Sequence, residues 1–184
     1  MKRKPLVNLS IKELAAIVGS KLKEHGIDAV LTGGAAVTIY SDNRYQSLDL
    51  DFVANAVEYQ PKEINTAMAE LDFELQTEGF FEHVDCPYVV EFIQPPLAVG
   101  QEPVKKIVTL KTKRGNFRIL STTDCVKDRL AAYYHWNDLQ SLDQALMVAR
   151  RHKVDLKEIK RWSKVEGHLK KCQKFYTQLE TKKQ

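Results

Sequence analysis

The chain has 184 residues, 43% of them hydrophobic, with 28 Lys and Arg against 24 Asp and Glu. That apolar content suffices for one sizeable self-folding domain, or for a small catalytic domain with a helical appendage. No stretch reaches the roughly 18 consecutive apolar residues that a membrane span needs. The basic start, MKRKPLVNLSIKELAAIV, is broken by a proline and polar residues where a secretion signal requires continuity. Cys86, Cys125 and Cys172 stand far apart and match no Cys-x-x-Cys spacing, which predicts free thiols in a reducing cytoplasm and no zinc site.

In chain order, Ser10 and Glu13 form a capping-box signature, and Ile11, Leu14, Ala15, Val18 and Leu22 recur at helical spacing up to His25, where Gly26 stops the helix. A short strand over 28–32 (DAVLT) runs into Gly33-Gly34 and the helix-forming AAVTIY, ending near Tyr40. An acidic strand follows at about 48–53, then a helix over 61–71. Segments 73–75, 80–84, 88–93, 104–111 and 116–120 read as strands, the last two joined by a Lys113-Arg114-Gly115 turn. After Leu120 the apolar period changes from two to about 3.6. Helices are expected from 121–123 to 136, from about 141 to 152, from 155 onward, and from 168 to 179. The pattern predicts an α+β fold: a mixed sheet flanked by helices over 1–120, with a helical region over 121–184 docked on it and no Gly/Ser linker between.

The acidic strand carries the chemistry. Successive side chains on a strand alternate faces, so Asp49 and Asp51 project together while Leu50 and Phe52 point the other way. Two such charges 5 to 6 Å apart repel by roughly 3 kcal/mol at an effective dielectric near 20. A hard cation between them would relieve this, and Mg²⁺ needs only one or two protein carboxylates because water and substrate phosphates complete its shell. The alternative is that one aspartate ends the strand and the other is solvated. Gly33-Gly34 lets backbone N–H groups approach a phosphate at a helix start, although a strand-to-helix turn uses glycine for geometry alone as well. Together the turn and the acids point to a nucleotide.

Gly33-Gly34-Ala35-Ala36, followed by Arg44-Tyr45-Gln46-Ser47-Leu48-Asp49-Leu50-Asp51, resembles the G-G-x-A and R-x-x-S-x-D-x-D signatures of the AbiEii-type toxins, a branch of the DNA polymerase beta-like nucleotidyltransferase superfamily. The resemblance implies a nucleotidyltransferase fold with its catalytic domain over 1–120 and a C-terminal helical bundle. It further implies that Gly33 and Gly34 hold NTP phosphates, that Asp49 and Asp51 bind Mg²⁺ or Mn²⁺, and that a third carboxylate on a neighbouring strand completes the site. The segment Tyr88-Val89-Val90-Glu91-Phe92-Ile93-Gln94-Pro95 is similar to the family's third-acid strand and assigns that role to Glu91. Glu82 and Asp85 are the rivals. Glu91 sits among β-formers, where a carboxylate is expected to be paired or metal-bound. Arg44 and Ser47 fall beside the site by resemblance, with pairing of Arg44 to Asp42 or Asp49 as the structural alternative.

The family also places a basic residue just before a Leu-Ala-Ala stretch in the first helix after the sheet. That selects Arg129, with Lys127 as competitor; two residues apart on a helix, they point about 200° apart. Asp143 could orient either cation, or simply favour its own helix dipole alongside Asp138. Tyr133, Tyr134 and Trp136 read as core or as a base-stacking stripe. Residues 151–184 hold 11 Lys and Arg against 4 acids, and Lys157, Lys160, Arg161, Lys164, Lys170, Lys171 and Lys174 line helix faces as a candidate RNA footprint. The implied activity moves NMP from an NTP to a hydroxyl on RNA, tRNA or protein, as a toxin with a cognate antitoxin. The alternatives are an antibiotic-type small-molecule nucleotidyltransferase and a non-catalytic nucleotide- or RNA-binding member.

Overall fold

The computed structural model describes residues 6–54 and 61–181. Residues 1–5 of the basic start, together with Lys182 and Lys183 of the basic tail, lie outside the described residues. Helix α1 (Ile11–Glu24) opens with the expected capping box: Ser10 Oγ accepts the Glu13 N–H at 3.3 Å and Glu13 Oε2 accepts the Ser10 N–H at 3.0 Å. Strand β1 (Ala29–Leu31) leads into α2 (Gly33–Tyr40), so the glycine pair forms the first two residues of the helix instead of a turn before it. Then come β2 (Asp49–Ala54), α3 (Pro61–Ala69), β3 (Glu74–Leu75), β4 (Phe81–Glu82) and β5 (Val89–Ile93).

A small hairpin of β6 (Ala98–Val99) and β7 (Glu102–Pro103) follows, where the sequence predicted no strand. Two residues per strand are too few to show a period of two. Strands β8 (Ile107–Thr112) and β9 (Gly115–Leu120) form the predicted hairpin, with β8 beginning later than the pattern suggested. Helices α4 (Thr122–Trp136), α5 (Leu139–Arg151), α6 (Leu156–Val165) and α7 (Leu169–Thr181) complete the chain. Side chains of Ser121, Asp138 and Asp155 cap α4, α5 and α6, and α5 starts two residues early because Asp138, not Ser141, accepts its first N–H groups.

The seven-stranded sheet runs in the order β3-β4-β5-β2-β1-β9-β8, with β5·β2 and β1·β9 parallel and the remaining pairs antiparallel. Leu50, Phe52, Val90 and Ile119 are fully buried in one continuous core, which forces the alternate residues of β2 and β5 to the other face. The hairpin β6–β7 is pinned from α6 and the turn after it: Trp162 Nε1–H donates to the Val99 carbonyl at 3.2 Å, and buried Glu166 accepts the Gln101 N–H at 2.9 Å.

Helix α4 packs on α2, α5, α6 and β9. Tyr133 and Tyr134 belong to the core, Tyr134 stacking on Trp162 with ring centres 5.6 Å apart, whereas Trp136 is 76% exposed. The stripe is therefore mostly packing. Lys171 on α7 closes the end of α4, its ammonium donating to the carbonyls of Tyr133 at 3.1 Å and Tyr134 at 2.5 Å and to Asn137 Oδ1 at 2.6 Å.

Helix α1 lies directly on β9 at Gly19, where an added Cβ would come within 2.7 Å of Phe117 Cβ and 3.2 Å of the Asn116 carbonyl. In an exposed helix, glycine to alanine gains about 1 kcal/mol. Here Gly19→Ala is expected to reverse that sign and cost roughly 1–3 kcal/mol through overpacking, read as a lower urea midpoint at unchanged slope.

Candidate active site

The acidic face is built by strand pairing. In the parallel register of β2 with β5, Asp49 is opposite Val89 and Asp51 is opposite Glu91. Adjacent strands lie about 4.8 Å apart, and residues opposite one another share a face. Asp49, Asp51 and Glu91 thus stand on one side of the sheet, across from buried Leu50, Phe52 and Val90. Burial first, then the charge of Glu91, then that of Asp49 push the Asp51 carboxyl up to about 6, while Arg129 draws it down. Asp51 is half-buried, whereas Asp49 and Glu91 are exposed. The apolar strand does not enclose Glu91: β5 buries only the opposite face, Ile93 beside it is 46% exposed, and Glu91 forms no ion pair with any described residue.

The glycine turn meets this face at Asp51. Gly33 has φ +61°, and a Cβ there would fall 2.1 Å from Asp51 Oδ2, so a side chain is excluded both by the left-handed backbone and by the carboxylate. Thr32, which the sequence reading passed over, clamps the junction: its N–H donates to the Asp51 carbonyl at 2.9 Å and its hydroxyl to the same oxygen at 3.2 Å. With its side chain so engaged, Thr32 provides no side-chain cap for α2. The first N–H groups of the helix are left for an outside acceptor, the arrangement that suits a phosphate. Thr32's place immediately before a glycine-led helix was the available signal.

Gly34 and Ser47 form the support behind this turn. A Cβ on Gly34 would lie 2.7 Å from Ser47 Oγ. Buried Ser47 donates its N–H to Thr38 Oγ1 at 3.0 Å, and its hydroxyl accepts the Asp49 N–H at 3.4 Å. Ser47 therefore sets the start of β2 against α2. Arg44 is exposed and pairs with no described residue, neither Asp42 nor Asp49; Asp42 binds Arg151 at 3.2 Å instead.

The two competing cations separate as their helical spacing requires. Arg129 lies within electrostatic reach of Asp51 and is oriented by Asp128, whose Oδ2 accepts from Nε at 3.0 Å and from Nη2 at 2.5 Å, with Gln144 Oε1 at 3.5 Å from Nη1. The proposed orienting role of Asp143 thus falls to Asp128, the residue next to Arg129 in sequence. Lys127 is buried elsewhere, paired with Asp124 and Glu158 at 3.3 Å each. Among the third-acid rivals, Glu82 faces Glu74 across the β3–β4 pair, and Asp85 lies in the turn after β4.

Among the described residues no three His, Cys, Asp or Glu side chains enclose a ready-made metal cage. The three acids instead make an open, mutually repelling face. Such a face fits a cation that takes one or two protein carboxylates and draws its other ligands from phosphate and water; Asp49 and Asp51 are the residues that could hold it, with Glu91 beside them.

No protein-family model matches the sequence, and no curated protein does. Solved structures share the fold. An antigenic nucleotidyltransferase-like protein from Paracoccidioides brasiliensis superposes with a TM-score of 0.54 at 17% identity over 78% of each chain. The antibiotic-resistance factor ANT(2'')-Ia superposes with a TM-score of 0.51 at 12% identity, over 93% of this chain and 95% of its own. The chain has the α+β fold of nucleotidyltransferase-like proteins.

Asp51 gives a test of the electrostatics. Its folded-state carboxyl titrates above the unfolded value, so its contribution to stability is fully present below about pH 4 and is lost as pH rises through about 6. Asp51→Asn removes that penalty. In metal-free buffer at pH 7 the variant is expected to be more stable by about 2 kcal/mol, a rise in Tm of about 5 °C, and the gap to wild type should close as pH falls to about 4.

Proposed function

We propose that the chain is a metal-dependent nucleotidyltransferase that moves NMP from an NTP to an acceptor hydroxyl. The observation that carries this reading is the meeting at Asp51: a carboxylate filling the space of a missing Gly33 Cβ, in register with Glu91 and two residues from Asp49. A fold shared with nucleotidyltransferase-like proteins supports it.

In this reading the start of α2 at Gly33 and Gly34 holds the phosphates by backbone N–H groups, and Gly34 keeps room for Ser47 to fix the Asp49 backbone. Asp49 and Asp51 hold Mg²⁺ or Mn²⁺, which when bound supplies the charge that offsets the triphosphate and the developing oxyanions. Glu91, exposed beside Asp51, takes the proton of the acceptor hydroxyl. That oxygen bonds to the α-phosphorus, the α–β bridging bond breaks, and its electron pair leaves with pyrophosphate. Arg129, held by Asp128, offers its forked donors to the phosphates. Lys127, committed to two carboxylates, stands outside this set, and Arg44 is free to meet the triphosphate from the surface.

The acceptor implied by the AbiEii-type resemblance is RNA, tRNA or a protein hydroxyl, with the chain as the toxin of a toxin–antitoxin pair acting in the cytoplasm. The basic C-terminal helices support a polyanionic acceptor, although Lys171 and Arg161 are spent on internal contacts. A second reading, transfer to a cationic small molecule, is favoured by a cleft of about 430 Å³ lined by Glu74 and Glu82 and reaching Val89, the register partner of Asp49. Similarity to an antibiotic-resistance factor points the same way.

Three measurements test this. Calorimetric titration with NTP and Mg²⁺ should show binding that Asp51→Asn and Gly33→Ala each weaken by at least about tenfold; a wild-type protein with no metal-dependent binding would leave only a non-catalytic member of the fold. Incubation with labelled NTPs plus either total RNA or an aminoglycoside should label one of them and discard the other acceptor. Glu91→Gln should depress kcat by about 10²-fold or more with little change in KM.

A further inference from the structure

Helix α4 divides two polar regions. Arg129 serves the acidic face, and on another side of the helix a cleft of about 990 Å³ opens between the starts of α4 and α6, the β7–β8 connection and the end of α2. Gly33, Asp49, Asp51, Glu91 and Arg129 take no part in its walls. Buried Lys127 does.

The charges on these walls are unevenly committed. Asp124 is engaged by Ser121 Oγ at 2.6 Å and by Lys127; Glu158 is shared by Lys127 and Arg161; Glu102 binds Arg161 at 2.5 Å; and Asp155 accepts the Glu158 N–H at 3.0 Å. By contrast Lys105, Lys106, Lys153 and Lys157 are exposed on the rim and form no ion pair with any described residue. The helix starts add little, because Ser121 and Asp155 already cap them. Lys105, Lys106, Lys127, Lys153, Lys157 and Arg161 stand against Glu102, Asp124, Asp155 and Glu158 on these walls, so the concavity is net positive and the four unpaired lysines set its potential. Val108, Val154 and Leu156 give the cleft apolar wall, so it suits a ligand with a multiply charged anionic end and a flat or apolar body.

We propose that this cleft is a second ligand site, taking an organic polyphosphate of the nucleoside di- or triphosphate class. The four lysines bind the phosphates, and Val108, Val154 and Leu156 contact the base or sugar. A bounded cleft with lysines on its rim fits a discrete molecule better than a continuous nucleic-acid strand, whose contacts would follow a track. The site does not depend on metal or on the acids of β2 and β5, so it stands or falls separately from the transferase reading.

The test is calorimetric titration of the full chain with ATP in EDTA, comparing wild type, Lys105→Ala/Lys106→Ala, Lys153→Ala/Lys157→Ala and Asp51→Asn. All four lysines are at the surface, and both double variants should keep or slightly raise the wild-type Tm as repulsion is relieved. The expected result is saturable binding at one site, weakened at least about tenfold by either lysine pair and changed less than twofold by Asp51→Asn. Absence of saturable binding in EDTA overturns the proposal, as does binding that survives both lysine pairs. Displacement of ATP by a single-stranded RNA oligomer at lower concentration than by unlabelled ADP also overturns it and assigns the lysines to nucleic acid. Binding in EDTA that is lost in Asp51→Asn but kept in both lysine variants overturns it and places the nucleotide on the acidic face.

Discussion

Asp51 is fixed by its surroundings in a way no other residue of the acidic face is. Its carbonyl receives both the N–H and the hydroxyl of Thr32, its carboxylate occupies the space a side chain at Gly33 would need, and its strand neighbour in register is Glu91. The position costs stability, since burial and two neighbouring acids all oppose its ionisation. A core chosen for stability alone would have no reason to keep an aspartate there. Such local unfavourable electrostatics at a rigid junction fits the cation-binding role proposed for Asp51.

The rest of the fold holds that junction still. Leu50, Phe52 and Val90 anchor the opposite face of β2 and β5, so a one-residue slip would turn the acids inward and the apolar side chains out. Ser47 and Thr38 tie the entry of β2 to the middle of α2, which links the strand carrying the carboxylates to the helix whose start would receive phosphate. Arg129 arrives from α4, oriented by the residue beside it.

Much of this was readable from local signals. The capping box at Ser10 and Glu13, a helix start within 121–123, another at Asp155, and the alternation that aims Asp49 and Asp51 the same way are properties of a few adjacent residues, and physical chemistry dictates them without knowledge of the remainder. What was not readable depends on long-range partners. The parallel pairing that brings Glu91 beside Asp51 is a tertiary fact, and so is the exposure of Glu91, which the apolar character of its strand concealed. Spacing showed that Lys127 and Arg129 must diverge, but only the packing of α6 decides which is sequestered. The β6–β7 hairpin escaped for a similar reason, being held by Trp162 and Glu166 some sixty residues away.

The ammonium of Lys171 bears on how the carboxyl-terminal region should be regarded. By gathering two main-chain oxygens and the Asn137 amide at the end of α4, it makes α7 a brace for the same helix that presents Arg129 from its middle. Trimming the chain before this segment would therefore remove more than a charged fringe: the terminal turn of α4 would lose its cation and begin to fray. Shortened variants made for convenience would then report on a loosened scaffold, and a fall in their activity could not be credited to lost surface charge.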